Sequence, residues 1–173
     1  MDTFVEQLIT KKKSGAQIAV MVMTLVFALI LIALAVLLFL LGFGFLSLIA
    51  IAAIIYGTYY LLTCQNVEYE YCITNGDIDI DRIIARRKRE RVVSVAGRKI
   101  ESAGKYVPEK WTNRNVDRVV VAAPSLQEEN LYFFSYHSKK HGHTLVVFQP
   151  DERVRAAMYE GLPKLVQLDW NKT

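Results

Sequence analysis

The stretch IAVMVMTLVFALILIALAVLLFLLGFGFLSLIAIAAIIYGTYYLLT, residues 18–63, contains no Asp, Glu, Lys, Arg or His. A helix needs about 20 apolar residues to cross a bilayer, so this stretch is long enough to cross twice. Gly42 and Gly44 lower the helix propensity twice within three positions and mark a break. The sequence therefore predicts two membrane-spanning helices, at about 18–41 and 45–63, joined by a short uncharged turn.

Flanking charge predicts the orientation of this hairpin. Lys11, Lys12 and Lys13 precede the first helix, an arginine-rich segment follows the second, and the turn between them has neither Lys nor Arg. Positive charge is retained on the cytoplasmic side, so both termini are expected there. A second apolar span follows the first at once, which argues against a cleaved signal peptide. The expected protein is a multi-pass protein of the cell membrane.

The predicted organisation has three parts. Residues 1–17 form a cytoplasmic N-terminal segment, residues 18–63 form the transmembrane hairpin, and residues 66–173 form one cytoplasmic domain. The N-terminal DTFVEQLITKKK places several apolar residues on one side of a short amphipathic helix, and a frayed polar tail is the alternative.

The hairpin carries no ionisable residue, which is the usual marker of an ion or proton path through a membrane. Ala53 and Gly57 lie four positions apart on the second helix and allow close helix approach. These two residues predict helix packing, either within the hairpin or between copies of the chain.

The domain begins with the segment VEYEYCIT, which alternates apolar and polar residues as a half-buried strand does. Asn75 and Gly76 follow and are a strong signal for a two-residue turn. The next segment, DIDID, continues the alternation with Ile78 and Ile80 inward. Glu70 and the Asp residues then share the outer face, where they form an acidic strip.

A basic run, ARRKRER, follows this hairpin. Arg89 and Arg91 begin a third strand and are expected to neutralise the acidic strip. The tip of the turn returns toward the bilayer, where each Lys or Arg contributes about 1 kcal/mol to contact with anionic lipid. The predicted lipid-contact residues are Arg86, Arg87, Lys88 and Arg89. A solvated loop that only reinforces topology and sequence-independent nucleic-acid binding are the alternatives.

Three further strands are predicted at 116–123, 131–137 and 144–149, each rich in β-branched or aromatic residues. Residues 92–100 are predicted to complete the third strand, and residues 101–115 form a polar connection. One amphipathic helix, capped by Asp151, closes the chain.

No metal site, cofactor site or catalytic centre is predicted. Cys64 and Cys72 form no Cys-x-x-Cys pair, and the segment HSKKHGH has a histidine spacing that fits an exposed hairpin better than a metal site. No phosphate loop, nucleophile elbow or metalloprotease motif is present. We therefore expect a protein without catalytic activity.

Two segments carry a family resemblance: YEYCITNGDIDIDRIIARRKRERVVSV and LYFFSYHSKKHGHTLVVFQPDERVRAAM. Their order, within residues 69–162 and behind a membrane hairpin, resembles the bacterial membrane-anchored proteins with a pleckstrin-homology-like (PH-like) domain. The resemblance implies an α+β fold, mainly antiparallel, in which an open barrel is closed by a C-terminal helix. It also implies an uncharacterised cytoplasmic interaction module that often self-assembles.

The expected function is that of a non-enzymatic integral membrane protein that presents a PH-like interaction or scaffold module at the cytoplasmic membrane face. Its expected partners are anionic lipid headgroups and a protein, which includes a second copy of the chain. The alternative is a structural subunit of a larger membrane complex assembled through the helices. Nucleic-acid binding by the basic hairpin is the third hypothesis.

Overall fold

The structure is a computed structural model that describes residues 3–111 and 116–170. The chain forms two compact units. Residues 12–67 form a helical unit, and the chain before and after them forms a second, mainly β unit.

The helical unit contains α1 (Gly15–Leu40) and α2 (Gly44–Cys64). Helix α1 begins a few residues before the apolar stretch because Ser14 caps it: the Ser14 hydroxyl accepts from the Gln17 amide, and the Gln17 side chain accepts from the Ser14 amide. Both helices are long and apolar enough to cross a membrane.

The first sheet of the β unit contains β1 (Phe4–Thr10), β2 (Val67–Thr74), β3 (Asp77–Ile84) and β4 (Lys88–Val95), in that spatial order. Asn75 and Gly76 both have positive φ, 51° and 84°, and form the predicted turn between β2 and β3.

The N-terminal segment differs from its prediction, because it forms strand β1. It pairs antiparallel with β2, from Phe4 opposite Thr74 to Thr10 opposite Glu68. The prediction of a short helix or a frayed tail is therefore wrong, and a domain that begins at residue 66 lacks its first strand. The segment FVEQLIT does not alternate as a half-buried strand does, and its pairing partner lies some 60 residues away in the chain. The pairing with β2 determines that this segment is a strand and not a helix.

The second sheet contains β5 (Ile100–Lys105), β6 (Arg118–Ala122), β7 (Tyr132–Ser138) and β8 (Gly142–Phe148), in the order β5-β7-β8-β6. Its pairs are antiparallel except for β6 with β8, which are parallel. The mainly antiparallel expectation therefore holds with one exception.

The predicted third strand is shorter than expected. It ends at Val95, a 3₁₀ turn follows at Gly97–Lys99, and β5 starts at Ile100. Gly97 lies against backbone atoms of Gly76 and Gly161, so a side chain at this point would collide with both. This close approach turns the chain from the first sheet into the second.

The connection predicted at 101–115 contains most of β5 and a short 3₁₀ turn at Pro108–Lys110. Residues 112–115 lie outside the described residues. The sequence left the structure of this polar connection open, and in the structure Ser102 to Lys105 pair with β7.

Two helices close the chain: α3 (Glu152–Gly161) and α4 (Lys164–Trp170). Asp151 caps α3 as predicted, since its carboxylate accepts from the Val154 amide at 2.8 Å. Helix α3 buries an apolar stripe and packs against β1 and β3. Helix α4 packs on β5 and was not predicted, because Pro163 was interpreted as the end of helical structure.

Tyr71 on β2 connects the two sheets. Its side chain is fully buried and packs edge-on against Phe148, with ring centroids 5.7 Å apart. Its hydroxyl donates to the carbonyl oxygen of Ala122 and accepts from the amide of Gln149 at 3.2 Å. Burial raises the pKa of Tyr71, so the hydroxyl keeps its proton for this bond.

Tyr71→Phe is predicted to destabilise the β unit by about 1–3 kcal/mol, because it leaves two buried backbone groups without this partner while the ring packing is kept. The measurement is denaturant unfolding in detergent, followed by Trp fluorescence, since both tryptophans, Trp111 and Trp170, lie in the β unit. Tyr136→Phe removes the hydroxyl of another buried tyrosine and is the matched control. Equal unfolding midpoints for the two variants would contradict the bridging role.

Candidate functional site

The basic turn between β3 and β4 is a three-residue hairpin turn, Ala85 to Arg87. Ala85 and Arg86 have φ of 54° and 55°, and the Arg87 amide donates to the Ile84 carbonyl at 3.0 Å. Positive φ at both of these residues is the geometry that matches the twist of the two strands. Neither residue is glycine, so each costs on the order of 1 kcal/mol of backbone strain. The turn holds the Arg86 side chain 83% exposed.

This turn lies at the end of the first sheet where the chain leaves for the helices and returns from them. Thr10, the last residue of β1, pairs with Glu68 near the start of β2. Arg86 then donates from Nε to Oε1 of Glu68 at 3.2 Å. Lys11 follows Thr10 directly in the sequence. The lysines before α1 and the basic turn between β3 and β4 therefore belong to the same end of the first sheet.

The outer face of the first sheet contains three buried carboxylates, Glu68, Glu70 and Asp81. Arg89 lies 2.5 Å from Glu70 and 3.8 Å from Asp81. Buried carboxylates need such partners because burial disfavours their charged form. The prediction that Arg89 neutralises the acidic strip is confirmed.

Arg91 completes this neutralisation. Its Nε and Nη1 donate to Asp81 and Asp79, each at 2.9 Å, and the hydrogen bond to Asp81 is the first cause of its raised pKa. The register of β3 and β4 shifts between Ile80 and Asp81, which brings Arg91 opposite Asp81. The predicted role of Arg91 is confirmed as well.

Strand β1 adds a carboxylate that the sequence analysis missed. A hydrogen bond with Glu6 raises the pKa of Glu70, and burial raises it further. The outer face thus contains Glu6, Glu68, Glu70, Asp79 and Asp81, with Arg86, Arg89 and Arg91 among them. The pairing of β1 with β2 places Glu6 on this face, and no period-two alternation in FVEQLIT marked it in advance.

Lys88 shares a second, smaller group of charges with Arg82. Each lies 2.5 Å from a carboxylate oxygen of Glu90. Hydrogen bonds from Lys88 and Arg82 lower the pKa of Glu90 to about 2. The four predicted lipid-contact residues are therefore not equivalent: Arg89 is held in the sheet, Arg86 and Lys88 each have one acidic partner, and Arg87 lies in the turn.

The two predicted helix-packing residues differ in their surroundings. Helices α1 and α2 contact each other through small residues, with Ala28, Ala35 and Ser47 buried. Ala53 is exposed, and a Cβ on the half-buried Gly57 would have no atom within 4 Å. Ala53 therefore takes no part in the contact that holds the helical unit together.

His137 and His143 pair across the β7–β8 hairpin, and His143 lies 3.7 Å from Glu101. His141 lies on the turn, where slight burial and then Arg118 lower its pKa. Within residues 3–111 and 116–170, no group of three or more His, Cys, Asp or Glu residues could hold a metal ion. Cys64 and Cys72 are both free and half-buried.

The sequence matches the family described as bacterial PH-like domain (DUF6106) over residues 1–168. The chain belongs to this family. The match includes β1 and both apolar helices, so it extends the resemblance seen in residues 69–162 to almost the whole chain. Neither a curated protein nor a solved structure matches the chain.

Arg89→Ala is predicted to destabilise this PH-like domain by about 1–3 kcal/mol, because it leaves Glu70 buried without its closest cation. The loss stays below that of a fully buried ion pair because the Arg89 side chain is 59% exposed. Unfolding in detergent, followed by Trp fluorescence, measures the change.

The matched control for Arg89→Ala is Arg98→Ala, which removes an exposed arginine from the 3₁₀ turn. Arg89→Lys keeps the charge but reaches fewer carboxylate oxygens, so it should fall between the two. If Arg89→Ala unfolds at the same denaturant concentration as Arg98→Ala, the structural role of Arg89 is wrong.

Proposed function

We propose that this PH-like protein is a multi-pass integral membrane protein that holds its domain at the cytoplasmic membrane face as a non-enzymatic interaction module. Contact with anionic lipid through the basic turn, Arg86, Arg87, Lys88 and Arg89, is part of the proposal. One observation carries it: the two apolar helices are inserted between two strands that pair with each other.

The insertion supports an even number of membrane crossings. Because β1 and β2 pair along their whole shared length, the chain before α1 and the chain after α2 belong on one side of any membrane the helices enter. Only 11% and 6% of the most apolar windows of α1 and α2 are buried within the chain. A core helix of a soluble protein would be mostly buried, so this exposure favours lipid as the surrounding medium.

Charge supports the cytoplasmic side. Lys11, Lys12 and Lys13 lie directly before α1, and the segment between the two helices has no charge. Positive charge within about 15–20 residues of a membrane helix sets its orientation. Both termini are therefore placed in the cytoplasm in this proposal.

The position of the basic turn supports its contact with lipid. Glu68, the partner of Arg86, is four residues after Cys64, the last residue of α2, a span of at most about 14 Å. The side chains of Arg86 and Lys88 are 83% and 70% exposed. Each cation near an anionic surface contributes about 1 kcal/mol. Arg89 is expected to contribute least, because it is held by Glu70 and Asp81.

The charges of the site also support a role without catalysis. Its arginines and carboxylates are paired between strands, where they hold the sheet together. In this proposal the domain recognises partners at its surface and transforms none of them.

A structural subunit of a larger membrane complex is the second candidate function. The exposed Ala53 and the open space at Gly57 favour it, because small residues on a membrane helix admit a partner helix at close range. Nucleic-acid binding is weaker, since acidic partners oppose much of the basic cluster.

The lipid contact is tested on the full chain in nanodiscs, with a fluorophore on Ala85→Cys in a Cys64→Ser, Cys72→Ser background. We expect quenching by headgroup-labelled lipid to be stronger in anionic than in neutral nanodiscs and to fall with added salt. Replacing Arg86, Arg87 and Lys88 by Ala should remove the difference between the two lipids.

The matched control carries the fluorophore on Thr74→Cys, an exposed residue at the opposite end of β2. Quenching at Ala85→Cys that equals the control, or that ignores lipid charge, contradicts lipid contact. The subunit role would then be favoured if the full chain still copurifies with a membrane partner and loses it on Ala53→Leu.

A further inference from the structure

The two sheets end in four edge strands, and three of them carry features that prevent pairing with another chain. Strand β4 presents four consecutive charged residues, Lys88 to Arg91, and a register shift against β3. Strand β1 is covered by α3, and the Gln7 side chain bonds to the Gln149 carbonyl and the Asp151 amide. Charges, bulges and covering helices are the usual protections of an exposed edge.

Strand β5 is protected in the same ways. Helix α4 packs on it, and its register against β7 shifts between Ile100 and Ser102. Glu101 and Lys105 add charge near its two ends. An added strand would therefore meet a covered and irregular edge here.

Strand β6 differs from the other three. Its sequence is RVVVA, it has no charge after Arg118, and its register with β8 is continuous from Arg118 to Ala122. The sheet order ends at β6, and the Val119 side chain is 56% exposed. The Ala122 carbonyl already accepts from Tyr71, so within residues 3–111 and 116–170 the edge left for another strand is Arg118–Val121. Flat apolar edges of this kind pair readily with another strand.

We propose that β6 pairs antiparallel with β6 of a second copy of this chain, so that the two second sheets join across a two-fold axis. This rests on the proposed function, because membrane anchoring places both β6 strands at the same height and confines them to two dimensions. Confinement raises the effective concentration of one copy for the other. With this higher effective concentration, an edge of four residues is long enough to form a dimer, although a free peptide of that length would bind only weakly.

The edge is complementary to itself. In an antiparallel pair centred near Val119 or Val120, the two Arg118 side chains lie toward opposite ends of the joint, so like charges do not face each other. Val119 and Val121 share one face of the strand. In a pair centred at Val119, Val119 would lie opposite Val119 of the second copy, and in a pair centred at Val120 it would lie opposite Val121. Such a contact is isologous and closes as a dimer.

Disulfide cross-linking of the full chain in liposomes tests this pairing, in a Cys64→Ser, Cys72→Ser background. Residues opposite each other in an antiparallel pair have Cα atoms about 4.5–5.5 Å apart, which suits a disulfide. We expect a cross-linked dimer from Val119→Cys alone if the axis passes near Val119. If it passes near Val120, the dimer should form only when Val119→Cys and Val121→Cys chains are mixed.

Leu168→Cys is the matched control, since this α4 side chain is exposed to a similar extent, 61%. Val119→Lys puts a charge on the edge and should convert the dimer to monomer when labelled copies are counted by single-molecule photobleaching in the liposomes, whereas Val119→Thr should keep the dimer.

Cross-linking at β6 no greater than at Leu168→Cys, with Val119→Lys still dimeric, overturns the pairing. Alkaline carbonate extraction of the same liposomes tests the anchoring separately. Protein that is released by carbonate overturns the proposed membrane function whatever the cross-linking shows. Protein that stays in the membrane without a β6 cross-link overturns only the pairing.

Discussion

The antiparallel pairing of β1 with β2 is the interaction on which the rest of the structure depends. It joins two strands that are separated in sequence by a 26-residue helix and a 21-residue helix. A β-hairpin usually has a loop of a few residues, and here the loop is the whole helical unit. The entropic cost of closing so long a loop grows only slowly with length, and a preformed helical hairpin brings its own ends together.

The pairing also explains the dense charge on the outer face of the first sheet. Glu6 on β1 meets Glu70 on β2, and Arg89 reaches Glu70 from β4. Arg91 on β4 pairs with Asp79 and Asp81 on the neighbouring β3. Because Arg89 connects β4 with β2, which are not direct neighbours, the network stabilises the order of the sheet. Arg86 and Lys88 lie at the turn at the end of this sheet, each with an acidic partner, and their side chains are 83% and 70% exposed to an external anion.

Much of this fold follows from local sequence signals. The apolar stretch, the Asn75 and Gly76 turn, and the Asp151 cap each act within a few residues, and each was predicted. The pairing of Arg89 and Arg91 with the acidic strip also followed, because alternation on two adjacent strands determines which side chains meet. Two predicted site residues, Ala53 and Gly57, were correctly placed on a helix, but spacing alone cannot say which helix face meets a neighbour.

The features that sequence reasoning missed depend on distant parts of the chain. Strand β1 has its partner beyond both helices, so the short FVEQLIT segment looked like a helix or a tail. The break at Gly97 arises from contact with Gly76 and Gly161, which are distant in sequence. The parallel pairing of β6 with β8 likewise joins strands that are separated in sequence by the whole of β7.

A disulfide between β1 and β2 tests the central pairing most directly. Glu6 lies opposite the native Cys72, so Glu6→Cys in a Cys64→Ser chain should form an intramolecular disulfide in membranes under mild oxidation. Leu8→Cys, opposite Glu70, should form much less, because its distance to Cys72 is a diagonal one of about 7–8 Å. Counting free thiols by mass spectrometry gives the result. Equal disulfide yield from both variants, or none from Glu6→Cys, would contradict the inserted-hairpin fold.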